Sequence, residues 1–212
     1  MNSFKKLFCP IKKPHKLYFQ YIGWSFTSNV LVSIESVLAS HSVLVSIDSY
    51  DSQWMKTANY IGKDIIGQCG GLFVMAKISR GADSNPKKFL LYSNICQQLS
   101  YTLICFTPFF DPVYFLPVAG IANLMANVAF VGYGATNAKV IDKLSMGNIG
   151  EIYAKITILS TLGSSVGMLL GLCITTIVPD HNIRLCFIPV LGAARIYTFN
   201  KGIKNLVDMK KE

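Results

Sequence analysis

The chain has 212 residues, 51% hydrophobic and only 15% charged, with a net charge of +9, against about 25% charged in an average soluble domain. Its apolar residues come in long blocks rather than amphipathic stripes, and its basic residues lie between the blocks. That arrangement excludes the clustered basic face of a nucleic-acid binder and points to a membrane surface. Cys9, Cys69, Cys96, Cys105, Cys173 and Cys186 form no CxxC pair, and His15, His41 and His181 have no ligand spacing. Neither a disulfide framework nor a metal or other cofactor is expected.

The N-terminal segment is basic and carries no acid before Glu35. It lacks the Arg residues and amphipathic period of a transit peptide, and no small-residue cleavage site follows a short apolar run. Residues 1–20 therefore read as a basic cytoplasmic tail. A bilayer-spanning helix needs about 20 mainly apolar residues. In chain order, residues 21–47 form a weaker candidate because they contain Glu35 and His41, and so do residues 57–76, with Lys63 and Asp64 near their start. Residues 89–110, 112–138 and 156–179 are strong candidates without an internal charge. Residues 185–200 are again weaker, being short and interrupted by Pro189 and Arg195.

Connection charges give an independent test, because Lys and Arg accumulate on the cytoplasmic side. With six spans, the two tails and the connections around residues 77–88 and 139–155 fall on one side. Of the 20 Lys and Arg, only Lys56 and Arg184 fall on the other, while Lys63 and Arg195 lie within spans. The expected fold is all-α, a polytopic membrane bundle of about six helices (range four to six), with both termini inside. Residues 21–200 form one embedded domain, followed by a basic tail over 201–212. The weaker blocks allow a tilted or broken first helix and a re-entrant last one.

Ionisable residues inside a span are costly and point to function. Lys63 and Asp64 either face a cavity or sit at the membrane interface, where Lys snorkels. Glu35 either marks a site or a kinked, non-spanning segment. Asn94, Gln97 and Gln98 precede a second amide stripe in which Asn123 and Asn127, four apart, share one helix face. Such amides either bind helices together or line a solute path. The candidate path is Lys63, Asp64, Gln97, Gln98, Asn123 and Asn127. Gly163, Gly167 and Gly171 form a ridge for close contact with a neighbouring helix, in this chain or another. The Gly-Tyr-Gly at 132–134 has no third glycine or βαβ setting, no phosphate-loop motif occurs, and no nucleophile–base set is found. No enzyme is expected.

"GATNAKVIDKLSMGNIGEIYAK" at 134–155 resembles the root UVB sensitive family, also described as vitamin B6 photo-protection proteins. Gly134, Ala135 and Thr136 match its Gly-Ala-Thr-Arg, with Asn137 replacing Arg. Asn148, Ala154 and Lys155 match its Asn-x-Ala-Asp-Val-x-Ala-Lys, with Glu151 replacing Asp. "YIGKDIIGQCGGLF" resembles the family's Lys-Asp-Gly-x-Gly-x-x-Gly-Arg through Lys63, Asp64, Gly67 and Gly70, while Ile65 and Gly71 depart. Trp24 and "LASHSVL" at 38–44 fit its N-terminal pattern. Asn94, Gln97 and Gln98 stand where the family has Asp-x-x-Asn-Asp, and "ITILS" follows Lys155 in place of a polar run. The resemblance implies a membrane or organelle-associated protein, linked in plants to UV-B responses, seedling development and vitamin B6 status, whose members associate with one another. Two functions follow as expectations. One is transport or sensing of a small polar solute of unspecified identity. The other is a non-catalytic scaffold working by helix association with itself or a related membrane protein. The lipid bilayer is a partner in both, and nucleic acid in neither.

Overall fold

The computed structural model describes residues 9–11, 14–84 and 86–207, with side chains throughout except at 78–84, 86–87 and 204–207. The tail residues 1–8 and 208–212 lie outside the described residues. Among the described residues six α-helices run Tyr18–Asp48 (α1), Gln53–Ser84 (α2), Pro86–Phe106 (α3), Phe115–Leu144 (α4), Ile149–Ile177 (α5) and His181–Val207 (α6). The all-α expectation holds, and the number of helices equals the number of apolar blocks.

Boundaries follow local chemistry. Pro86 opens α3 at the position where a missing N–H costs nothing. Pro108 and Pro112 cannot donate to a continuing helix, and the chain passes from α3 to α4 through 3-10 turns at Thr107–Phe109 and Pro112–Tyr114. Residues 89–110 are therefore not one unbroken span. Residues 21–47, with no Pro and no Gly after Gly23, lie instead within one 31-residue helix. Residues 185–200 lie in one helix that continues through Pro189 rather than folding into a hairpin. Gly147 has φ 86°, a conformation that favours glycine, and turns the chain between α4 and α5. Among the described residues three segments are long and apolar enough to cross a membrane: Tyr18–Asp48, Pro112–Leu144 and Ile149–Ile177.

α1 is the hub, packed along α5 and α6 and against α3, while α4 lies between α2 and α3. The glycine ridge of α5 faces α1. A β-carbon at Gly163 would lie 3.0 Å from the Phe26 carbonyl oxygen, and one at Gly171 would lie 2.8 Å from Val37 Cβ. At Gly167 it would collide with the Val30 carbonyl. Only glycines permit this approach, so the ridge is spent inside the chain.

Two apolar layers hold the helices together. One contains Leu38 and Val43 of α1, Ile104 of α3, Phe115 and Ala119 of α4 and Ile188 of α6. The other contains Tyr18 and Tyr21 of α1, Leu90 of α3, Val140 and Leu144 of α4, Ile152 of α5 and Ile203 of α6. Along α3, α4 and α6 a polar belt lies between the two layers, and on α1 it runs as far as Glu35, next to Ile34 of the first layer. Many large apolar side chains face outward instead, including Phe73, Phe130, Leu169 and Ile177. Buried polar groups and so much exposed apolar surface are the two departures from a water-soluble bundle that carry information.

Identical substitutions at two glycines of α5 should have opposite effects. Gly167→Ala is expected to cost about 1–3 kcal/mol through overpacking. Gly150→Ala, whose β-carbon meets nothing within 4 Å, is expected to gain up to about 1 kcal/mol of helix propensity. Denaturation of both variants in detergent micelles measures the pair.

Candidate functional site: a polar belt around Arg195

Arg195 of α6 is 1% exposed and Glu35 of α1 is 0% exposed. The Arg195 Nε lies 3.0 Å from Glu35 Oε2. The contact is close enough for an ion pair but lacks hydrogen-bond alignment, and neither Glu35 oxygen has a hydrogen-bond partner among the described residues. The rest of the guanidinium is held by neutral groups. Nη1 donates to the Tyr133 hydroxyl at 2.9 Å and to Asn94 Oδ1 at 3.4 Å. Nη2 donates to Gln98 Oε1 at 3.0 Å and to the Asn94 carbonyl at 3.3 Å.

Each acceptor is itself fixed. Tyr133 donates to Asn94 Oδ1 at 2.9 Å, and Asn94 donates to the Leu90 carbonyl at 3.1 Å. Gln98 donates to the Ile188 carbonyl at 3.2 Å and lies against Gly192, where a β-carbon would overlap its amide. Four helices thus position one cation. Burying a charge is tolerable only with such partners.

A cavity of about 450 Å³ opens beside this cluster, with Arg195 in its wall. Its volume falls in the range of small-molecule sites, about 300–1,000 Å³. Ser25, Ser28 and Asn29 of α1, Gln97 of α3, Thr136 and Asn137 of α4 and Ser160 of α5 supply polar lining. Tyr101, Phe130, Tyr133 and Phe199 supply aromatic surface. The Tyr21 hydroxyl donates to Asn137 Oδ1 at 2.9 Å, so the asparagine that replaces the family's arginine fixes one side of the cavity.

The sequence-derived candidates divide between two places. Gln97 and Gln98 belong to the belt. Lys63, Asp64, Asn123 and Asn127 lie at the α2–α4 contact. There the Lys63 Nζ pairs with Asp64 Oδ1 at 2.6 Å and stands 4.5 Å over the Tyr60 ring. Asn123 donates to the same Asp64 oxygen at 2.7 Å, and Asn127 donates to the Asn123 carbonyl at 2.9 Å. Gly67, Gly70 and Gly71 let α2 approach Asn123, Leu124 and Asn127. These polar residues bind two helices together and do not line the cavity. Of the family-motif positions, Gly134 and Thr136 line the cavity, with Ala135 between them. Asn148 donates to Glu151 Oε2 at 3.1 Å, Glu151 Oε1 accepts the Ile11 N–H at 2.7 Å, and Lys155 follows one turn on in α5. Gly163, Gly167 and Gly171 contact α1, as described.

Arg195 and Tyr133 were not among the sequence-derived candidates. Charge balance was the available signal. Of the four Asp, Glu, Lys and Arg residues within apolar blocks, Lys63 and Asp64 are sequence neighbours that pair, which leaves Glu35 and Arg195 to find each other. A smaller set lies nearer the opposite end of α1, where Arg184 donates to His41 Nδ1 at 3.2 Å and to the Pro179 carbonyl at 3.1 Å. His181 Nε2 lies 3.0 Å from the Cys105 carbonyl there.

Fold and site together define a helical bundle with a buried charge pair beside a polar cavity, between two apolar layers. A family model for the vitamin B6 photo-protection and homoeostasis domain matches residues 1–210, and the chain belongs to that family. It is 27% identical to protein root UVB sensitive 4 of Arabidopsis thaliana, over 97% of this chain and 41% of that protein. It is 24% identical to protein root UVB sensitive 2, chloroplastic, of the same plant, over 93% of this chain and 47% of the relative. RUS family member 1 of Dictyostelium discoideum is 23% identical over 85% of this chain and 36% of its own length. The chain spans less than half the length of these relatives. No solved structure matches it.

Tyr133→Phe removes only the hydroxyl that joins Arg195 to Asn94. It is expected to cost about 1.5–3 kcal/mol, the range for a hydrogen bond to a charged group. Tyr197→Phe, which keeps an exposed ring on α6, should leave stability unchanged in the same denaturation series.

Proposed function

We propose that this chain is a multi-pass membrane protein that binds a small polar solute within its bundle, for transport or sensing, in vitamin B6 homeostasis. The observation that carries the reading is the polar belt, a cavity of about 450 Å³ with a buried arginine in its wall, inside helices whose outer faces are apolar. A bundle that hides Glu35, Asn94 and Arg195 while exposing Phe73, Leu169 and Ile177 is suited to lipid as solvent. Three helices of sufficient length and hydropathy support the same view. The belt offers hydrogen bonds, aromatic faces and one cation, which bind and orient a ligand. We therefore propose a binding protein and not an enzyme. The family's domain name supplies the vitamin B6 context, and pyridoxal and pyridoxine are the solutes to test first.

The scaffold reading has weaker support. Its natural contact surface, the glycine ridge of α5, is already covered by α1.

Gly134 lies in the cavity wall, and a β-carbon there meets nothing within 4 Å. Gly134→Phe is thus expected to fill cavity space without disturbing its neighbours, and to weaken solute binding at least tenfold while leaving the denaturation midpoint near that of the parent. Calorimetric titration of purified protein with pyridoxal and pyridoxine measures this. Equal affinity in the variant would sink the cavity as the binding site. For insertion, carbonate washing of membranes should leave the chain in the pellet, and its release would refute the multi-pass reading.

A further inference from the structure

We infer that the cavity takes an organic anion together with one proton, the anion pairing with Arg195 and the proton going to Glu35. The inference rests on the reading of the cavity as a solute site. Four features of the belt lead to it.

First, Arg195 is placed without help from Glu35, because Asn94, Gln98 and Tyr133 already hold both terminal nitrogens. Loss of the carboxylate charge leaves the guanidinium where it is. Second, Arg195 lines the cavity and Glu35 does not. The wall contains no acidic residue, so no carboxylate stands between an anion in the cavity and the cation, and the anion takes over guanidinium N–H groups now given to Asn94, whose contacts of 3.3 and 3.4 Å are the longest of the set. Third, among the described residues Arg195 is the one opposite charge beside Glu35, and the Gln98 amide is the neutral group that supports its charged form. Glu35 is fully buried and neither of its oxygens has an aligned hydrogen-bond partner among the described residues.

Fourth, charge must balance away from water. The empty site holds Glu35 at −1 and Arg195 at +1. An anion added to that pair would leave a net negative charge in a low-dielectric interior, which is unfavourable. Protonation of Glu35 removes that charge, and the loaded site is again neutral, with Arg195 at +1, the anion at −1 and Glu35 uncharged. One proton is therefore taken up for each monoanion bound.

The groups around Glu35 leave it alone to do this. Arg195 lies against it from α6 and Gln98 from α3, while Tyr101 and Cys105 of α3 and Tyr133 of α4 are near enough to feel its charge. α5 has no Asp, Glu, Lys, Arg or His between Lys155 and its C-terminal end. His41, further along α1, faces Arg184 instead. Aromatic lining from Tyr101, Phe130, Tyr133 and Phe199 suits an anionic group carried on a flat ring.

The test uses the full chain in detergent micelles and two probes of matched shape. Benzenesulfonate is a monoanion between about pH 5 and 8, a window where histidine-range groups titrate, and benzenesulfonamide is neutral there. The dissociation constant for benzenesulfonate is expected to rise about tenfold per pH unit once Glu35 is ionised in the free protein. Calorimetry in buffers of different ionisation enthalpy should show uptake of one proton per sulfonate bound. Benzenesulfonamide should bind without either effect. Glu35→Gln should hold the low-pH affinity for benzenesulfonate at every pH, and Arg195→Met should lose the sulfonate while keeping the sulfonamide. If either variant fails to fold, the parent's pH slope and proton count decide the matter alone. A flat sulfonate profile, or a slope retained in Glu35→Gln, overturns the inference. Binding of the sulfonamide without the sulfonate overturns it and leaves the cavity as a solute site. Binding of neither probe overturns both.

Discussion

A charge taken out of water must find an opposite charge and enough hydrogen bonds to replace its hydration. In this protein that constraint falls on Glu35 and Arg195, and much of the bundle is arranged around meeting it. The two residues come from helices at opposite ends of the sequence, so pairing them joins α1 to α6. The acceptors for Arg195 come from α3 and α4, which ties two further helices to the same point. Gly192 is required because Gln98 must pass close to the α6 backbone to reach the guanidinium. The apolar layers on either side of the belt set the spacing of the helices that supply it.

Close backbone approach is the second organising feature, and it works at two contacts by the same means. Gly163, Gly167 and Gly171 bring α5 against α1, while Gly67, Gly70 and Gly71 bring α2 against α4. In a lipid surrounding, apolar side chains gain little by leaving lipid for protein, so tight contact and interhelical hydrogen bonds carry the association. The Lys63–Asp64–Asn123 cluster serves that purpose at the α2–α4 contact. Polar residues within apolar helices thus play two parts here. Some fasten helix to helix, and others form a wall around an internal space.

Helix number and class were legible in the sequence because each apolar block is long enough to form one helix and is bounded by polar or helix-breaking residues. The division of residues 89–110 at Phe106 was less legible. Hydropathy averages over a window, whereas Pro108 acts on the backbone donor pattern at one position. The candidate site was legible in part. Gln97 and Gln98 were found by their chemistry. Arg195 interrupts an apolar block, and that interruption is what marks it as buried and paired. Tyr133 carries no signal in a single sequence, since its role depends on α3 and α6 meeting opposite it. Lys63 and Asp64 were read as a possible solute path, and their adjacency in sequence was the clue that each already had a partner.

The central claim is that Glu35 and Arg195 form one interdependent pair inside the bundle, and a double-mutant cycle tests it most directly. Stability would be measured for the parent, Glu35→Gln, Arg195→Met and the double variant in one detergent. The account predicts that removing Arg195 alone costs about 3–5 kcal/mol, because it strands a buried carboxylate. It also predicts that the double variant recovers part of that loss, for a coupling of about 2 kcal/mol or more. Additive effects, with coupling below about 0.5 kcal/mol as found for independent sites, would contradict it.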